Sequence, residues 1–173
     1  RRRRSPFCEG ADSVLHVTVL CIGKLKEAYW RDAVAEYAKR LSAFCRFAVV
    51  EVDEERLPDA PGPAQIERAL TEEGKRLLSH IPRDALTVAL CIEGKTVSSE
   101  ALSARLSSWA LEGKSHIVFV IGGSFGLSDG VKNAAALRLS MSPMTFPHQL
   151  ARVMLLEQIY RAFQIAGGGK YHK

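Results

Sequence analysis

His116-Ile117-Val118-Phe119-Val120-Ile121-Gly122-Gly123-Ser124-Phe125-Gly126 is the stretch on which the fold turns. Its apolar run, rich in β-branched residues, reads as a strand buried on both faces, the kind that parallel sheets contain. The glycines that follow remove side chains where the chain leaves that strand. Open α/β sheets bind ligands at the carboxyl ends of their strands, and a bare backbone lets a ligand approach closely. The spacing is not GxGxxG, and no Asp or Glu stands about 20 residues downstream to hold a ribose. A dinucleotide-binding loop is therefore disfavoured and a Walker loop is absent, while a plain tight turn stays open as the other reading.

Working upstream, Ala85 to Ile92 is a second nearly continuous apolar strand, and Glu93-Gly94-Lys95 is read as a turn. Ser98 or Ser99 can cap a helix that ends near Gly113, with Glu100 complementing its dipole. Val14 to Ile22 reads as the first strand, closed by Gly23. Tyr29, Ala33, Val34, Tyr37, Ala38 and Leu41 recur at helical spacing over Glu27 to Ala43. Arg46 to Val52 is a strand, Asp53 to Pro63 a proline-rich loop, and Ala64 to about His80 a helix ended by Pro82. Downstream come a short helix over Asp129 to Ala136, a strand over Leu137 to Ser142, a loop at Pro143 to Pro147 and a helix from His148 to about Ile165. Strands alternating with helices predict an α/β fold, with a mostly parallel sheet flanked by helices in one domain.

The chain has 173 residues and a formal charge of +5. Arg1 to Arg4 against Glu9 and Asp12 account for +2 of it, leaving +3 for the rest. That balance suits an enzyme engaging RNA locally better than a protein that coats nucleic acid. Residues 1–15 are read as a basic, disordered extension lacking the apolar core of a signal peptide, and residues 16–173 as the single domain. No apolar run reaches the ~20 residues a membrane span needs. The cysteines at 8, 21, 45 and 91 form no CxxC pair, which predicts free thiols in a reducing cytoplasm, no disulfide and no metal site.

Six pieces in register then carry a family resemblance. They are Gly23-Lys24-Leu25-Lys26, Ile92-Glu93-Gly94-Lys95, Ile121-Gly122-Gly123-Ser124-Phe125-Gly126-Leu127, Met144-Thr145-Phe146-Pro147-His148-Gln149, Glu157-Gln158-Ile159-Tyr160-Arg161-Ala162 and Tyr171-His172-Lys173. Over about His16 to Lys173 the chain resembles the RlmH, or YbeA-like, family of SPOUT-class methyltransferases. The resemblance implies a SPOUT-type fold with a carboxyl-terminal trefoil knot, a homodimer, and transfer of a methyl group from S-adenosylmethionine to N3 of a pseudouridine. That nucleotide lies in helix 69 of 23S rRNA on the assembled ribosome, so the implied location is the cytoplasm. It also implies that the cofactor touches Leu90, Gly122, Gly123, Met141, Ser142, Pro143, Met144, Thr145 and Phe146. Apolar side chains there would shelter adenine and the thioether, although core packing explains the same residues.

The pseudouridine N3 must lose its proton before it attacks, so His172 and His148 are the candidate bases. Tyr171 could stack on the base, and Arg161 could hold a phosphate or developing charge. Arg161 also stands four residues after Glu157, the spacing of a helical ion pair. Many family members carry Gly-x-Pro or Gly-Glu-x before the Tyr, where Gly167-Gly168-Gly169-Lys170 stands here. The last helix is apolar around more than one stripe, which predicts a second buried face, on a partner. The rival readings are a nucleotide- or NAD-binding Rossmann-like enzyme and a non-catalytic ribosome-binding module.

Overall fold

The computed structural model describes residues 14–169. Arg1 to Ser13, most of the basic extension, lie outside the described residues, as do Lys170 and the closing Tyr171-His172-Lys173. Leu15 is already buried, and its carbonyl accepts the Arg46 N–H at 2.9 Å.

Five strands alternate with five helices: β1 (His16–Ile22), α1 (Ala28–Leu41), β2 (Arg46–Val52), α2 (Pro63–Ser79), β3 (Leu86–Thr96), α3 (Ser99–Leu111), β4 (His116–Ile121), α4 (Asp129–Ala134), β5 (Leu137–Ser140) and α5 (His148–Ala166). The sheet order is β2-β1-β4-β3-β5, and every pairing is parallel. All carboxyl ends therefore share one edge.

Successive side chains of a strand point to opposite faces, and both faces here are covered. Val17, Val19 and Cys21 of β1 and Ile117, Phe119 and Ile121 of β4 enter one core, with Leu41 of α1, Leu106 of α3 and Leu155, Leu156 and Phe163 of α5. Leu20, Ile22, Val118 and Val120 enter a second core, with Leu77 of α2 and Val131 of α4. Helices α1, α3 and α5 thus cover one face and α2 and α4 the other. Double burial explains why β1 and β4 read as continuous apolar runs rather than alternating ones.

Two stretches differ from the sequence reading. Glu93-Gly94-Lys95 does not end its strand: β3 runs on to Thr96. Its ladder with β5 jumps instead, since Leu90 and Lys95 both face Leu139, so Cys91 to Gly94 are pushed out of register between them. The glycine does mark a departure from the ladder. What resumes the strand is β5 on the far side, where a Cβ on Gly94 would stand 2.7 Å from the Leu139 carbonyl carbon. The second difference is in α5, whose extra apolar side is largely taken by this chain. Helices α1 and α3 pack on it, and Tyr160 meets the rings of Tyr37 and Phe44 edge-on.

Candidate active site

At the carboxyl end of β4 the chain folds back on itself. The Gly126 N–H donates to the Gly123 carbonyl at 3.1 Å, and Gly126 has φ +85°, a conformation that L side chains resist. A Cβ at Gly122 would run into the Gly126 carbonyl. The bareness of Gly122 therefore serves the tight turn, one of the two readings the sequence left open for this loop.

A second loop faces this turn. After β5 the chain is held by short-range hydrogen bonds: Ser140 Oγ donates to the Ser142 carbonyl at 3.0 Å, and the Met144 N–H donates to Ser142 Oγ at 3.0 Å. Between the loops lies a cleft of about 760 Å³, within the roughly 300–1,000 Å³ range of small-ligand sites. Leu90, Gly122, Gly123, Met141, Ser142, Met144, Thr145 and Phe146 line it, so the structure brings together eight of the nine residues assigned to the cofactor. Pro143, exposed between Ser142 and Met144, is not among the lining residues. Ile92, Phe125 and Met144 stand largely exposed around the opening, an apolar rim that a ligand could cover.

Beside these loops a polar cluster joins the carboxyl ends of β1 and β2 to the amino-terminal turns of α5. Arg152 of α5 has no exposed surface. Its Nη1 donates to Glu51 Oε1 at 2.5 Å and its Nη2 to the Gly23 carbonyl at 3.1 Å. Glu51 Oε1 also accepts the Leu25 N–H at 3.2 Å. One guanidinium thus ties the first turns of α5 to the bend after β1 and to the end of β2. Its Nε is buried and finds no hydrogen-bond partner among the described residues.

His148, the first residue of α5, lines the cleft, and Glu54 stands near it after β2. A Cβ on Gly23 would lie 3.8 Å from His148 Nε2 and 3.7 Å from Glu54 Oε2. Ser124 Oγ donates to Glu54 Oε1 at 3.4 Å. Burial lowers the His148 pKa below the usual histidine value, Arg152 adds to that, and Glu54 opposes it. The imidazole is therefore neutral at neutral pH and free to accept a proton.

Other sequence candidates lie elsewhere. Arg161 donates from Nε at 2.9 Å and from Nη2 at 2.6 Å to Glu157 Oε1, the helical pair its spacing allowed, and it does not line the cleft. Tyr171 and His172 are outside the described residues. Cys21 and Cys45 are buried free thiols, their pKa pushed up to about 12 by desolvation, so neither is a nucleophile. Glu54, Glu51 and Arg152 were not singled out from sequence. The signal for Arg152 was present: with Leu155, Leu156 and Ile159 it falls on the i, i+3, i+4, i+7 stripe that faces the core.

A family model described as a predicted SPOUT methyltransferase matches residues 15–172. The chain belongs to the SPOUT methyltransferase family. Among SPOUT relatives, a protein named ribosomal RNA large subunit methyltransferase H from Bifidobacterium adolescentis is 47% identical over 159 residues, covering 92% of this chain and 100% of its own length. One of the same name from Pelotomaculum thermopropionicum is 49% identical, over 92% of this chain and 99% of its own. A solved structure, described as a probable methylase family protein from Haemophilus influenzae Rd KW20, matches with a TM-score of 0.51. It is 12% identical, over 91% of this chain and 70% of its own, and so speaks to the SPOUT fold alone.

Proposed function

We propose that this SPOUT methyltransferase binds S-adenosylmethionine in the cleft between the Gly122–Gly126 turn and the Met141–Phe146 loop, and methylates N3 of a pseudouridine in helix 69 of 23S rRNA. The observation that carries the reading is the convergence of eight dispersed motif residues on one cleft at the carboxyl edge of a parallel sheet. The residues fit the proposed ligand. Leu90, Met141, Met144 and Phe146 offer apolar cover to an adenine and a thioether, and loop amides and carbonyls can meet the ring edge. The names of the relatives, large-subunit rRNA methyltransferases, support the substrate class.

When bound, S-adenosylmethionine supplies a methyl group already activated as a sulfonium, so this chain need only position the acceptor and remove its proton. In this reading Tyr171 stacks on the base, His172 and His148 are the imidazoles available for the proton, and Arg161, held by Glu157, offers its guanidinium to the RNA backbone. The carboxyl-terminal knot and the homodimer belong to the same proposal. Work on assembled ribosomes would place the enzyme in the cytoplasm, and among the described residues no helix is long and apolar enough to cross a membrane.

The test is incubation with methyl-labelled S-adenosylmethionine and either intact ribosomes or isolated subunits, followed by mapping of labelled nucleotides. Label at N3 of the helix 69 pseudouridine is expected, and labelling elsewhere or not at all overturns the reading. Size measurement in solution is expected to give a dimer; a clean monomer at micromolar concentration counts against it.

A further inference from the structure

The jog in β3 delivers a charged side chain to the cleft. Cys91 to Gly94 leave the ladder between Leu90 and Lys95, and Glu93, in the middle of that excursion, lines the cleft. Irregularities of this kind beside a site re-aim a side chain. Gly94 holds the jog against β5, where any side chain would strike the backbone of Arg138 and Leu139. From α4, Lys132 Nζ donates to Glu93 Oε1 at 2.9 Å and lies 3.0 Å from Asp129 Oδ1, and Lys132 lines the cleft as well. The Lys132 side chain is 19% exposed and that of Glu93 53%, so the ammonium is held in place while the carboxylate stays open to a ligand. Their hydrogen bond holds the Glu93 carboxyl below the usual carboxylate range and the Lys132 ammonium above its own, which leaves both charged at neutral pH.

Among the described residues, Glu93 is the one carboxylate and Lys132 the one ammonium that line this cleft. Helices α4 and α5 cover opposite faces of the sheet, so the pair marks the α4 end of the cleft, and His148 and Ala151 mark the α5 end. The methyl donor is divided in the same way. One end is a flat, largely apolar adenine, and the other is an amino acid whose ammonium and carboxylate sit on a single carbon. We propose that the Glu93–Lys132 pair is the subsite for the amino-acid end of the donor, with Glu93 accepting from its ammonium and Lys132 donating to its carboxylate. The inference rests on the reading of this cleft as the S-adenosylmethionine site. A carboxylate and an ammonium already in contact present, side by side, the complements of two charges that are themselves neighbours, so the four charges alternate in sign. The pair has capacity to spare. An ammonium has three N–H donors, of which Glu93 and Asp129 engage two, and a carboxylate offers more lone pairs than Lys132 occupies. Both are positioning residues: anchoring one end of the donor fixes the direction in which its methyl group points.

Two neutral thioethers separate this subsite from the rest of the cleft. S-adenosylhomocysteine carries the amino-acid end, whereas methylthioadenosine has the same adenosine and sulfur without it. Calorimetry on the full chain is expected to show the first bound at least about tenfold more tightly, the scale of a charge-assisted hydrogen bond. High salt should narrow that preference, because exposed charges are screened. Glu93→Gln and Lys132→Gln are each expected to weaken S-adenosylhomocysteine about five- to twentyfold while methylthioadenosine changes less than about twofold. Lys132→Arg, which keeps the charge, should recover part of the loss. If Lys132→Gln disturbs α4, Glu93→Gln, on a half-exposed side chain, carries the test alone. The inference is overturned if the wild-type chain binds both thioethers equally. It is also overturned if the variants weaken both alike, which would give the pair to the nucleoside, or if they weaken neither. A wild-type chain that binds neither thioether nor S-adenosylmethionine would instead overturn the reading of the cleft, and this assignment with it.

Discussion

A guanidinium with no exposed surface is costly unless its N–H groups are matched, and Arg152 is matched only in part. Two of its nitrogens serve Glu51 and the Gly23 carbonyl, while Nε has no partner among the described residues. Removing one member of a buried pair leaves the other uncompensated. Arg152→Met is therefore expected to cost on the order of 3 kcal/mol, read as a shifted midpoint in urea unfolding; a change below about 1 kcal/mol would mean the pair carries little of the fold. Gly122 offers a sharper contrast. Alanine there must displace the Gly126 carbonyl, whereas alanine at Gly126 meets nothing within 4 Å and suffers only the positive φ. Gly122→Ala is expected to cost about 1–3 kcal/mol by overpacking and to weaken S-adenosylmethionine binding at least tenfold. Gly126→Ala should cost about 1–2 kcal/mol with a smaller loss of binding. Calorimetry with the two variants side by side checks the order, and the reverse order would remove the turn from the site. At this scale the sequence showed which residues could matter but not what each touches. Glu54 reads as one acid in a loop full of charges until the fold sets it against Gly23 and Gly123.

Elements were more legible than residues. The bounds of β2 and β4 coincide with their apolar runs because both runs end at turn-forming residues, and a serine of the expected pair caps α3. Ser98 Oγ accepts the Ala101 N–H at 3.1 Å, which satisfies a donor that the first turn would otherwise leave open. Ser98→Ala is expected to cost about 1 kcal/mol in thermal or urea unfolding, and Ser99→Ala serves as the comparison. Equal effects would deny the cap. The jog in β3 was out of reach. A local signal shows that Gly94 interrupts a strand, but only β5, more than forty residues further along, determines that the strand resumes. The partnership of α5 was half legible for the same reason: its apolar breadth was readable, but α1 and α3 as the covering elements were not.

At the scale of the molecule, layers and parallel pairing follow from alternation of element types, but strand order does not, because the crossovers set it and their composition does not encode which edge they reach. The sheet also joins sites at opposite ends. At the amino ends of β1 and β4, His116 hydrogen-bonds to Thr18 Oγ1 at 3.0 Å, and its pKa is lowered by burial and then by His16. At the carboxyl ends His148 is lowered as well. A depressed pKa means the folded chain holds its proton less tightly than the unfolded one. The contribution is therefore fully present above the unfolded value of 6.5 and is lost as pH falls through the folded values. Stability measured by urea unfolding is expected to decline as pH drops from about 7 toward 5, and His116→Gln should flatten the decline. An unchanged slope would assign the loss elsewhere. Below about 4.5 the lowered carboxyls of Asp53, Glu72 and Glu93 add their own loss.

The order β2-β1-β4-β3-β5 has a temporal consequence as well. The central strand is fourth in the chain, so a polypeptide leaving the ribosome holds β1–β2 and β3 as two fragments with nothing between them. Each exposes an unpaired edge until residue 121 has emerged, and helix α5, which seals one face, comes last of all. Long-range parallel pairing of this kind is slow and leaves apolar edges open to misassociation. Synthesis of this chain should therefore be most dependent on chaperones, and most sensitive to a stalled codon, in the interval between β3 and the end of β4.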